Sequence, residues 1–168
     1  MGSITERMKG AALLDVATYE EVEADTTATG QAAVVVTIGA IASAIGASRG
    51  GAGGIIGALV ASLIGWVLWA GVTYFIGTRM LGGTATWGEL LRTLGFAQSP
   101  KVLAVLALVP GLGWIVGLVL SIWLLTAGIV AIRQALDFST GKAVVTALLG
   151  WLAMVIPFAL LGLSTGWR

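Results

Sequence analysis

Two stretches carry residue types that could bind phosphate, and neither has the spacing. Ser139-Thr140-Gly141-Lys142-Ala143 resembles the end of a phosphate-binding loop. Leu136 stands where the first glycine of that loop must be, and Ala143 where a metal-binding hydroxyl must be. Gly111-Leu112-Gly113 followed by Gly117 has the wrong last interval for a dinucleotide fingerprint and follows no strand. The hydroxyls that could act as nucleophiles, Ser99 and Ser121 foremost, have no base to activate them. The chain has no His and no Cys, and no Lys sits beside either serine inside an apolar stretch. The same absences remove disulfides, thiol redox chemistry and the usual zinc, copper and haem ligands. No carboxylate pair falls within an apolar stretch, and ion-coupled transport usually needs an acid or base there. The expectation is a non-enzyme with no catalytic residue, no cofactor and no metal.

What must be positioned, then, is a set of helices. Of 168 residues, 58% are hydrophobic and 10% charged, against roughly 25% charged in a soluble domain. Mean hydropathy is +1.01. Net charge is +1, which points to no nucleic-acid partner. Eight charges crowd into the first 25 residues, from Glu6 to Asp25. Beyond them, charge-free runs cover residues 26–48, 50–78, 102–132 and 143–167. A spanning helix needs about 20 apolar residues, and a mid-bilayer charge costs at least ~2.5 kcal/mol on insertion scales. The class is therefore all-α and polytopic. Residues 1–27 form an N-terminal segment and residues 28–168 a membrane domain.

Spans are expected near residues 31–47, 54–78, 114–132 and 143–163. The first is rich in small residues: Gly46, Gly50 and Gly54 recur at four-residue spacing, as do Gly39, Ser43 and Ala47. Such spacing lets helix backbones approach closely in lipid. Pro157 can kink the last span without ending it. The 31-residue run would make one helix about 46 Å long, against a hydrocarbon core of about 30 Å. Pro110-Gly111-Leu112-Gly113 breaks it. A short segment over residues 99–109, either re-entrant or extended by residues 96–100, then precedes a full span. Gly113 and Gly117 read as close helix packing. About five membrane segments result.

If Lys101 to Arg133 is a hairpin, then Arg79, Arg92, Lys101, Arg133 and Lys142 share one side, leaving Arg49 and Arg168 opposite. The positive-inside rule then gives a cytoplasmic N-terminus and an external C-terminus.

Outside the spans two short helices are expected. Ser3 and Glu6 fit a capping box that starts a helix near Ile4. The acidic segment Glu20, Glu21, Glu23 and Asp25 is either a solvated collar or a docking surface for a basic partner. Thr86 and Glu89 fit a second box, with Trp87, Leu90, Leu91 and Leu94 on one face and Glu89, Arg92 and Thr93 off it. Gly95 suits its stop. This helix either lies in the interface or packs on the bundle. Trp87, Trp114 and Trp167 fall near span ends, as an aromatic belt would. Trp66, Trp69, Trp123 and Trp151 fall near mid-span, where they either pack or line a lipid or pigment groove. With Trp87 they are the candidate lipid or partner contacts.

A family resemblance rests on several of these stretches. Asp15-Val16-Ala17-Thr18-Tyr19-Glu20-Glu21-Val22-Glu23 is followed by small-residue spans. Then come Ser99-Pro100-Lys101, Val109-Pro110-Gly111-Leu112-Gly113, Ile122-Trp123 and Ser139-Thr140-Gly141-Lys142-Ala143. That order resembles the YIP (Ypt/Rab-interacting) family over most of the chain. The resemblance implies about five membrane segments and a cytoplasmic N-terminus. Eukaryotic members of the family bind Rab GTPases and organise secretory membranes. The alanine- and glycine-rich spans point to a bacterial member in the inner membrane, for which Rab binding is not expected. The functional expectation is a non-catalytic scaffold or accessory subunit packing with other membrane proteins. The alternative is a transporter or channel for a small neutral solute or lipid, suggested by the break at Pro110–Gly113.

Overall fold

The computed structural model describes residues 2–47 and 52–164, with the side chains of 52–53 and 157–164 excepted. Gly50, Arg49, Trp167 and the Pro157 side chain lie outside the described part. Among the described residues there is no strand. Seven α-helices follow in order: α1 Ile4–Ala12, α2 Val16–Ala24, α3 Ala28–Gly46, α4 Ala52–Phe75, α5 Trp87–Phe96, α6 Gly113–Ala135 and α7 Thr140–Ser164. A π-helical turn, Ile76–Met80, extends α4, and a 3-10 helix, Ser99–Leu108, lies between α5 and α6.

Local chemistry sets the helix starts. Ser3 Oγ accepts the Glu6 N–H at 3.3 Å, and the Glu6 carboxylate accepts the Ser3 N–H at 2.7 Å. Asp15 caps α2 by accepting the Thr18 N–H at 3.1 Å. Thr86 and Glu89 close the second box, at 3.3 and 2.8 Å, and start α5. Gly95 does not end α5. The helix continues to Phe96, and Gly95 is the point where α5 meets α3: a Cβ there would lie 2.7 Å from the Ala32 Cβ.

Among the described residues, three helices are long and apolar enough to cross a membrane: Ala28–Gly46, Gly54–Met80 and Gly113–Ala135. The described apolar part of α7, Thr140–Ile156, is shorter. The remaining expected segment is the ten-residue 3-10 helix. It runs alongside α3 and packs there with a period of three: Lys101, Ala104 and Ala107 face α3, while Val102, Leu103, Val105 and Leu106 are exposed. That is the repeat of a 3-10 helix, whose side chains eclipse at i and i+3. Rising about 2.0 Å per residue, it reaches about 20 Å, where an α-helix of equal length would reach about 15 Å. A turn over residues 109–112 reverses the chain into α6. Gly111 sits there at φ +83°, a left-handed conformation that suits glycine. The 3-10 helix and α6 thus form the expected hairpin.

The packed core is lopsided. Its main body gathers α1, α2 and α5 against the start of α3 and the end of α6, around Tyr19, Val22, Leu90, Phe96, Ile132 and Leu136. A second, small cluster of Ala42, Ala104 and Leu120 holds the 3-10 hairpin to the far half of α3. Elsewhere the long helices present Ile56, Val60, Ile64, Leu118, Ile122 and Leu125 outward, as lipid-facing helices do.

Candidate functional site

The residues singled out as helix-packing positions separate by place. Gly46 is an intramolecular contact: a Cβ there would collide with the Ala104 carbonyl oxygen, so only glycine lets the 3-10 helix rest on α3. Gly54 instead lines an open cleft of about 520 Å³ with Ser43, Ala47, Gly57 and Ala61, between α3 and α4. Pro110 and Gly111 form the turn. Gly113 comes within 3.7 Å of the Ala107 carbonyl, measured from a built Cβ, while Gly117 faces open space.

The tryptophans divide likewise. Trp66 is buried and donates its indole N–H to the Leu91 carbonyl at 2.9 Å, tying α4 to α5. Trp123 donates to the Ala12 carbonyl at 2.6 Å, tying α6 to the last turn of α1. Trp69 stacks over Gly150 of α7 and shares a cavity with Trp151. Trp87 is half exposed and borders a broad apolar groove of about 740 Å³ with Phe75 and Met80. Trp114, 72% exposed, stands at the start of α6.

The densest polar constellation is only partly legible in the sequence. The acidic segment is solvated at Glu20 and Glu21, yet two buried arginines also draw on it, Arg7 through its carboxylates and Arg92 through its backbone. Arg7, 2% exposed, donates to Glu21 Oε1 at 2.8 and 3.2 Å, to Asp25 Oδ2 at 2.7 Å and to Gln31 Oε1 at 3.0 Å. It therefore joins α1, α2 and α3. The Thr27 hydroxyl and the Arg7 guanidinium hold the Asp25 carboxyl down to about 2. The Gly2 N–H, then Arg7, lower that of Glu21.

The helical pattern sets Arg92 and Thr93 off the apolar face of α5, yet the structure covers that side too. Both are buried, Arg92 at 5% exposure. Arg92 Nε donates to the carbonyls of Val22 and Glu23 at 3.1 Å each, and Nη2 donates to Glu23 as well. These carbonyls end α2, which has no basic residue in its last turn. A helix C-terminus leaves its last carbonyls unpaired and carries partial negative charge, so a guanidinium there satisfies both. The uncapped end of α2 was the available signal. The Glu23 carboxyl, losing water in this packing and sensing Glu89 and Asp137, rises to about 7.

The serines considered as nucleophiles bond to their own backbone: Ser99 Oγ to the Phe96 carbonyl at 2.6 Å and Ser121 Oγ to Gly117 at 2.7 Å. The family model for the Yip1 domain matches residues 15–161, starting at the residue that caps α2. No curated protein and no solved structure matches the chain.

Proposed function

The chain belongs to the Yip1 domain family, and from that premise we propose that it is a non-catalytic membrane scaffold or accessory subunit that packs against other integral membrane proteins. One observation carries this reading. Glycine and alanine pack tightly inside the molecule where α3 meets the 3-10 helix, yet Gly54, Gly57, Ala58 and Ala61 on α4 line a cleft that no described element fills. In lipid, association depends on close backbone approach, which small residues permit. A third transmembrane helix fits such a cleft. The backbone-bonded hydroxyls of Ser99 and Ser121 support the non-catalytic part.

The proposed orientation puts the N-terminus in the cytoplasm of a bacterial inner membrane. The 3-10 helix and α6 return the chain, which supports placing Arg79, Arg92, Arg133 and Lys142 toward the α1–α2 end, with Lys101 deeper, against Gly39 of α3.

The chain has no cysteine, so one introduced thiol is unique. Ala61→Cys should cross-link to a partner protein in native membranes, and Ala61→Trp should abolish co-purification of that partner in mild detergent. A clean monomer from native membranes, with no cross-link from the introduced thiol, overturns the proposal.

A further inference from the structure

We propose that two cavities flanking Trp69 together bind an anionic phospholipid, its phosphate at Lys101 and an acyl chain against Trp151. The first cavity, about 350 Å³, is bordered by Ser62 and Trp66 of α4, Gln98 and Lys101 at the junction of α5 with the 3-10 helix, and Gly128 of α6. The second, about 440 Å³, is bordered by Leu125, Ile129, Leu148 and Trp151 and is almost wholly apolar. Trp69 borders both. Each volume is in the range of ligand sites. One is polar-headed and the other oily, and they share a wall. A two-part molecule fits that pair, whereas a small soluble anion would leave the second chamber empty.

Lys101 supplies the charge. Its stem lies on the bare backbone of Gly39, about 16 Å along α3 from its start. Its ammonium donates to Gln98 Oε1 at 2.7 Å, leaving two of its three N–H groups to give. Both ion pairs among the described residues belong to Arg7, so no described carboxylate neutralises Lys101. A cation at such depth in an apolar domain is costly unless it meets an anion. A phosphate there would accept from the ammonium, from the Gln98 amide and from the Ser62 hydroxyl. The Trp66 indole N–H is already engaged by Leu91, so that ring offers only a wall.

The test uses the full chain purified in mild detergent. Phosphatidylglycerol, phosphatidylcholine of the same acyl chains, and soluble glycerol phosphate are compared by native mass spectrometry and thermal unfolding. Phosphatidylglycerol should bind about tenfold or more tightly than phosphatidylcholine, which has the same phosphate but carries a choline cation that opposes Lys101. Glycerol phosphate should neither bind nor raise the melting temperature. Lys101→Gln should erase the headgroup preference. Gly128→Leu should block binding with the charge intact, since no atom lies within 4 Å of a Cβ built there. Arg79→Gln, removing an exposed cation, should change nothing. Equal binding of the two lipids overturns the proposal. So does a preference that survives Lys101→Gln, or one lost equally in Arg79→Gln, which would mean diffuse attraction. Protection by glycerol phosphate matching that by lipid overturns the lipid as occupant. If Lys101→Gln does not fold, the wild-type comparison and Gly128→Leu decide.

Discussion

The end of the molecule built from α1, α2 and α5 and the half that carries the 3-10 hairpin are held together by different forces. At the first end, large side chains are fully buried and two arginines satisfy carboxylates and helix-end carbonyls across long loops. In the second half, large apolar side chains point outward and contact is made through Gly39, Gly46, Ala42 and Ala104. The first end coheres as a protein in water does, where excluding solvent from Val22 and Leu90 is favourable by about 1.5–3 kcal/mol each. The second half coheres as a protein in lipid does. Tails are as apolar as leucine there, and only close packing and satisfied backbone hold helices together. One chain of 168 residues applies both rules, each in its own solvent.

Substitutions can break or sharpen that contrast. The largest effect is expected from Arg92→Met, which leaves the Val22 and Glu23 carbonyls buried and unpaired. We expect a loss of about 3 kcal/mol by chemical unfolding in detergent, with α1 and α2 released to protease first. Gly46→Ala should cost about 2 kcal/mol, because a methyl group meets the Ala104 carbonyl and the 3-10 helix must shift. Hydrogen exchange should rise in residues 99–112 and stay unchanged in α1 and α2. Exchange rising equally at both ends would mean that the two regions are one cooperative unit.

A smaller effect is expected from pH. The Glu23 carboxyl sits at about 7 when folded, against an ordinary 4.5, so the folded state holds its proton more tightly. Stability from this group should fall as pH rises from about 4.5 to 7 and level off above 7. Glu21 and Asp25, both lowered, act oppositely: their contribution is present above their ordinary values and is lost as pH falls below them. Glu23→Gln should flatten the melting profile between pH 4.5 and 7 while leaving the acid limb intact. A slope surviving in that variant would assign it elsewhere.

The smallest effect is the sharpest test of the contrast. Ile122→Ala, outward-facing on α6, should cost about 0–0.5 kcal/mol, where a water-excluded core isoleucine costs ~2–5. A loss of core size would place a neighbour rather than lipid against Ile122.

What can be seen from residue order alone follows from range. The capping boxes at Ser3–Glu6 and Thr86–Glu89, the long apolar runs and the break at Pro110–Gly111 are local devices, decided within a few residues. All are legible, and α3, α4, α6 and α7 lie where the runs place them, their ends within a few residues. The burial of Arg92 escapes the pattern because a helical wheel knows only its own helix, and its acceptors lie 69 and 70 residues away. Gly95 reads as a stop because glycine ends helices by default, whereas here Ala32 needs the room. The 3-10 form of residues 99–108 has no local mark. Residues 102–109 are apolar throughout, so periods of three and of 3.6 cannot be told apart. The Lys101 cavity draws its walls from α4, α5, the 3-10 helix and α6, and no single stretch announces it.

The long reach of Arg92 also has a consequence in time. A ribosome adding about 5–20 residues per second takes roughly 3–14 s to travel from Glu23 to Arg92. The bond from Trp123 to Ala12, separated by 111 residues, comes later still. For those seconds Arg7 can tie the first two helices to each other and to α3, but α5 and α6 are not yet there to cover Val22 or hold the end of α2. Nascent chains stalled before residue 92 should therefore be cut within α1 and α2, and those stalled well beyond it should resist.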